Sequence, residues 1–200
     1  GRQVCITCEQ TSIKDSGNRR KFESGAVRDI QEGKGRCDLL PLGVVADLMG
    51  LKELMRIHEF KSTGDVIPLF DALKEFSSIY MTKDENGKIT EYDSKEKELS
   101  DMMLEVSIHF EEGAKKYGDN NWRKGIPAYC YIDSAVRHYL KWIRGDNDEP
   151  HDRAFAWNLL CCIWTCQNKP ELNTYLKGGA ASGKQEPTLQ CKRMCRPNSL

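Results

Sequence analysis

Apolar residues return every three or four positions through most of this chain, and no alternating pattern persists anywhere. That period is the helical one, so the chain is constrained toward an all-α fold built by packing apolar stripes together. The stripe is clearest from about 95 to 117, where Met102, Met103, Val106, Phe110 and Ala114 line up. Lys115 and Lys116 then fill the last turn, and Gly118 stands where a C-terminal cap belongs. A second stripe, Ile132, Ala135, Val136, Tyr139, Leu140 and Ile143, predicts a helix over 128–144 ended by Gly145. A third runs from His151 to Gln167, with Ala156, Leu159, Leu160, Ile163 and Trp164 facing inward.

Upstream, residues 40–60 read as one helical run through Leu40, Val44, Leu48, Leu51, Leu54 and Met55. Residues 66–81 follow with Ile67, Phe70, Leu73 and Phe76, led by Asp65 as N-cap and Pro68 in the first turn. Between the two halves, residues 82–98 are polar and carry Asn86-Gly87, a turn signal. The chain divides accordingly into an N-terminal arm (1–38), a helical domain (39–168) and a flexible Gly/Ser/Lys-rich tail (169–200). The tail's GGAASGK lacks the spacing of a phosphate-binding loop and any preceding strand.

Thirty basic and 30 acidic residues cancel. A zero balance argues against a uniformly basic nucleic-acid-binding domain, so no direct nucleic-acid partner is expected. No apolar run approaches a membrane span, and the first residues lack a signal-peptide pattern. A soluble protein of the bacterial cytoplasm, or of a phage-infected host, is expected. Nine cysteines are many for that setting. Cys130, Cys161, Cys162 and Cys166 fall on apolar helical positions and read as small hydrophobes. Cys5, Cys8, Cys191 and Cys195 are either free thiols or one four-thiolate zinc clasp.

The polar residues on three helices invite chemistry. Glu111 and Lys115 share a face, as do Asp133, Arg137 and Lys141, all at four-residue steps. The ordinary explanation is surface ion pairing. His138 sits at the edge of an apolar stripe, where a hydrogen-bonded core histidine is equally normal. Asp146, Asp148, Glu149 and Asp152 crowd a helix start, which favours acids in any case. Asn158, seven residues after His151 and so on the same face, is harder to dismiss because a buried amide needs partners. The functional alternative is that carboxylates from several helices converge on divalent ions, beside basic groups that grip phosphate.

The blocks FESGAVRD, EGKGRCDLLP, HFEEGAKKYGDNNWRKGIP, YIDSAVRHYLKWIRGDND and H-x4-AWN (His151 to Asn158) resemble the dATP/dGTP diphosphohydrolase N-terminal domain family over about residues 15–168. That family is related to the MazG-like all-α nucleotide pyrophosphohydrolases. The resemblance implies a MazG-like helical bundle, with 50–97 as an insertion relative to shorter relatives. It implies hydrolysis of a purine deoxynucleoside triphosphate, dGTP or dATP, to the monophosphate and pyrophosphate. It further implies Mg²⁺ or Mn²⁺ and a homodimer or homotetramer with sites near subunit contacts. Carried onto this sequence, Glu111, Glu112, Asp133 and His138 become catalytic, with His138 orienting a ligand or relaying a proton. Glu111, Glu112, Asp133, His151 and Asp152 become metal ligands. Lys115, Lys116 and Arg137 would bind phosphates, Asn121 and Trp122 base or sugar, and Asn158, Arg28 and Arg36 would complete the substrate contacts. Two departures stand out: a lysine lies near where the third acid of E-E-x-x-E belongs, and no E-x-x-D follows at the expected distance. The alternative they motivate is a catalytically degenerate nucleotide-binding or assembly protein on the same scaffold.

Overall fold

A computed structural model of the chain describes residues 17–79 and 92–176. Six helices form the body: α1 (Leu42–Met49), α2 (Lys52–Thr63), α3 (Ile67–Ile79), α4 (Lys95–Tyr117), α5 (Ala128–Arg144) and α6 (His151–Asn168). The fold is mostly helical, as the periodicity requires. Its one departure is a small antiparallel hairpin in the arm, β1 (Arg19–Lys21) against β2 (Val27–Asp29), with Arg20 opposite Arg28. No helix among the described residues is long and apolar enough to cross a membrane.

Local chemistry sets the helix ends. Ser94 caps α4 by accepting from the Lys97 amide, and Asp65 accepts from the Ile67 amide at the start of α3. Gly145 closes α5 at φ 88, the left-handed conformation that glycine adopts without steric cost. The single run read over 40–60 is in fact two helices. Gly50, at φ 67, ends α1, and Leu51 is extended before α2 begins. The break turns α1, so Val44 and Leu48 are 67% and 83% exposed rather than in the core. Ile67, Phe70 and Ile143, also read as inward, are partly exposed too.

The core forms where α5 and α6 pair and where α2 and α3 close over them. Phe76 of α3 meets Phe155 of α6 with ring centroids 4.7 Å apart and Trp142 of α5 at 5.1 Å. Tyr139 of α5 donates across 2.7 Å to the buried Glu53 of α2. Residues 50–79, read as part of an insertion, thus supply Leu54, Ile57, Phe60 and Phe76 to the same core. Cys130, Cys161, Cys162 and Cys166 are buried free thiols, as their positions suggest. Cys5, Cys8, Cys191 and Cys195 lie outside the described residues. So does most of the segment read as a tail. Its described start is packed: Tyr175 meets Phe60 at 5.3 Å, and Asn173 donates to the Gly64 carbonyl across 2.8 Å.

The arm is what shapes the functional end. Asn121, in the 3-10 turn after α4, takes the Val27 amide on Oδ1 (2.9 Å) and gives Nδ2 to the Val27 carbonyl (2.7 Å). Lys116 and Tyr117, at the end of α4, both reach Asp29, at 2.9 and 2.8 Å. Further along, the Cys37 amide donates to Asp133 (2.7 Å), and Arg137 donates to the carbonyls of Lys34 (3.1 Å) and Gly35 (2.9 Å). These contacts lay residues 20–37 across α4, α5 and α6 and roof a space between them.

Candidate active site

That space is a cavity of about 870 Å³, in the size range of small-molecule sites. Arm residues Arg28 and Lys34, α4 residues His109 and Glu111, and α5 residues Asp133 and His138 contribute to its wall. The α5–α6 turn adds Asp148 and Glu149, and α6 adds Trp157 and Asn158.

At one end, two imidazoles face each other. His151 is buried, and its Nε2 lies 2.8 Å from Asp148 Oδ1. The carboxylate can only accept there, so Nε2 carries the hydrogen and Nδ1 keeps its lone pair. His138 Nδ1, 2.9 Å from His151 Nδ1, then donates to it. Burial, followed by the neighbouring His151, pushes the His138 pKa well below its usual value and keeps its ring neutral. Among the described residues, two groups have ligand atoms close enough to share an ion: His138, Glu149 and His151, and Asp146, Asp148 and His151. In the second group, Asp146 is held by both arms of the Arg144 guanidinium. Asp146 also lies off the cavity wall, whereas His138 and Glu149 line it, so the first group is the better placed donor set. With the His138 hydrogen moved to Nε2, the two Nδ1 lone pairs would suit a divalent ion, because bonds of about 2.1 Å at right angles place two donors about 3 Å apart. Asp148 behind His151 supplies the carboxylate that orients a ligating histidine.

The other predicted residues spread more widely. Glu111 lines the cavity but pairs with Lys115, and the two side chains are 63% and 70% exposed. The Lys115 ammonium holds the Glu111 carboxyl below its usual range. Asp133 and Arg137 pair at the same spacing, but inside, where the Asp133 side chain is 2% exposed. Glu112 sits 3.9 Å from the Arg153 guanidinium, away from the cavity wall. Asp152 takes the Arg153 amide and also stands off the wall. Lys116 is committed to Asp29, and Asn121 to Val27 through both amide atoms. Trp122 lines the cavity between Phe110 (5.6 Å) and Trp164 (5.1 Å). Arg36 turns to Asp38. Arg28 donates to Asn158 Oδ1, and Asn158 Nδ2 bonds the Ala154 carbonyl at 2.7 Å.

His109 and Trp157 escaped the sequence reading, whereas the acids at 148–152 stood beside His151 as candidates to complete the metal site. Glu149 and Asp148 look like ordinary helix-start acids until the turn folds them onto His138 and His151. His109 falls three residues after the buried Val106, a core position by period, so nothing local marks it as polar lining. It is 8% exposed, and burial, with Arg153, Arg28 and Lys116 nearby, drives its pKa down to about 3. Trp157 lies inside H-x4-AWN, but only the fold shows that its ring walls the cavity.

Residues 82–175 match the family described as dATP/dGTP diphosphohydrolase, N-terminal. No curated protein and no solved structure matches the chain. The matched stretch contains α4, α5 and α6 and thus every helical wall of the cavity, whereas the arm that roofs it lies upstream. The segment that supplies the helical walls of this site is thus the one similar to the dATP/dGTP diphosphohydrolase N-terminal domain family.

Proposed function

We propose that the protein hydrolyses a purine deoxynucleoside triphosphate to the monophosphate and pyrophosphate, with a divalent ion held by His138, Glu149 and His151. The observation that carries this reading is the grouping of His138 and Glu149, which line a nucleotide-sized cavity beside basic residues, with the buried His151 behind them. When bound, the ion would neutralise phosphate oxygens and lower the pKa of a water molecule. Two imidazoles and one carboxylate favour Mn²⁺ or a similar transition ion over Mg²⁺, which prefers oxygen donors.

The chain's own groups do the rest. Asp148 fixes the His151 tautomer, so its Nδ1 lone pair faces His138. Lys34 and Lys141 flank this end and would hold the phosphates, Lys141 leaving Asp148 (3.5 Å) to do so. Glu111 enters from α4 as the carboxylate least tied to the buried network, suited to a second ion or a water. Asp133 and Arg137 are read as the brace that ties the arm to α5 rather than as ligand and phosphate clamp. Lys115 and Lys116 would act only by leaving Glu111 and Asp29. Subunit pairing as a dimer or tetramer belongs to the same proposal.

Incubation with Mn²⁺ or Mg²⁺ and each deoxynucleoside triphosphate, followed by product separation, tests this directly. Pyrophosphate and a monophosphate are expected, with activity lost in EDTA and in His138→Ala. Release of orthophosphate would sink cleavage between the α- and β-phosphates. Nucleotide binding without hydrolysis is the second reading. It is favoured by the commitment of Asp133 to Arg137 and the placing of Glu112 beside Arg153. Calorimetric binding of a triphosphate with no product after prolonged incubation would establish it.

A further inference from the structure

The cavity wall around Arg28, His109 and Trp157 contains polar atoms that the fold leaves unanswered. Among the described residues, Arg28 Nη1, His109 Nδ1 and Trp157 Nε1 are buried and have no hydrogen-bond partner. All three residues line the cavity, and they are neighbours. The His109 and Trp157 ring centroids are 5.5 Å apart, and the Arg28 guanidinium lies 5.8 Å from the Trp157 ring and 5.1 Å from that of Tyr131. Buried polar atoms in native proteins are almost always paired, so three orphans in one wall point to a ligand that pairs them.

Two of the three are fixed donors. The Arg28 guanidinium is anchored through its other terminal nitrogen to Asn158, itself bonded to Ala154. The Trp157 indole is held against Phe110 (5.8 Å) and Tyr131 (6.2 Å). A ligand here must offer acceptors to both and tolerate aromatic faces around it. A phosphate offers acceptors but also charge. The nearby cations Lys116 and Arg153 already face Asp29 and Glu112. A flat, uncharged, acceptor-bearing edge fits better. His151 and Asn158 are seven residues apart on α6, about 10 Å along the helix axis.

We propose that Arg28, Trp157 and His109 form the purine subsite of the cavity, and that it selects a 6-oxo purine over a 6-amino purine. Guanine presents O6 and N7 side by side, two acceptors for two donors. Adenine presents an amino donor beside N7, which leaves one of the protein's donors opposed. The inference rests on the nucleotide-hydrolase reading above and assigns its base preference.

Calorimetry with dGMP, dIMP, dAMP and pyrophosphate in the presence of Mn²⁺ tests it without relying on turnover. dGMP and dIMP are expected to bind roughly tenfold or more tightly than dAMP, since both carry O6. Trp157→Phe keeps the ring and removes the N–H. It should shrink that preference several-fold while leaving pyrophosphate binding unchanged, and an unaltered circular-dichroism melt confirms the fold. Equal binding of dGMP and dAMP overturns the inference and leaves the hydrolase reading standing. Weaker binding of pyrophosphate and every nucleotide by Trp157→Phe also overturns it, because the donors would then serve phosphate. If no nucleotide binds at all, the hydrolase reading fails and takes this one with it.

Discussion

The two ends of the cavity solve the problem of buried polar groups in opposite ways. At the histidine end the groups answer one another: Asp148 takes His151 Nε2–H, and His138 donates to His151 Nδ1. At the aromatic end, Arg28, His109 and Trp157 each keep a buried atom with no partner. The first end is organised before any ligand arrives, as sites that must hold an ion in fixed geometry require. The second carries an unmet cost that a ligand relieves on binding, which is how a site gains preference for one edge over another. Between them stands the Asp133–Arg137 brace, which fixes the arm to α5 and so keeps the roof on both.

The brace gives the largest expected effect. Asp133→Ala takes the carboxylate from Arg137, which keeps only the Lys34 and Gly35 carbonyls, and leaves the Cys37 amide unpaired, and should lower stability by about 3 kcal/mol. Urea unfolding measures it, and a loss under 1 kcal/mol would mean that the two ends do not depend on a shared roof. The histidine end should next reveal itself through metal. Asp148→Asn is expected to weaken Mn²⁺ binding about 10–100-fold in calorimetry, because His151 loses its orienting carboxylate. Unchanged affinity would show that the ion, if bound, lies elsewhere.

The aromatic end should show itself through acid. His109 has an ordinary pKa of 6.5 and a folded value of about 3, so the unfolded chain binds the extra proton first as pH falls. Stability is therefore full above pH 6.5 and declines below it, until the folded ring also protonates near pH 3. The decline between pH 6.5 and pH 5 should be on the order of 2 kcal/mol. His109→Gln should flatten that part of the curve, measured by urea midpoints at each pH, whereas an unchanged slope would locate the acid sensitivity in other groups. The smallest effect belongs to the rim. Glu111→Gln breaks only an exposed pair and should leave the melting temperature unchanged, so any loss of turnover it causes reports chemistry rather than folding.

The ion pairs explain how far the sequence could be read. Glu111–Lys115 and Asp133–Arg137 have the same spacing on neighbouring helices, yet one lies in solvent and the other under the arm. Spacing reports only which residues share a helix face. What covers that face depends on segments far away in sequence, here Lys34 to Cys37. Gly50 makes a similar point. The apolar period runs on across it, but one left-handed residue turns the helix before it and carries Val44 and Leu48 outward.

The sequence alone determined α4, α5 and α6 nearly to the residue, because their stripes are long and Ser94, Gly118, Pro127, Gly145 and Pro150 stand at their ends. It also carried the blocks that tie the cavity walls to a nucleotide diphosphohydrolase family. Tertiary structure alone brought His138 onto His151 across the Gly145–Pro150 turn, drew Glu149 to them, and left Arg28, His109 and Trp157 facing one another without partners. Local pattern is set by interactions within a few residues, and those can be read in order along a chain. A site is set by distances between segments that only the packed core brings close.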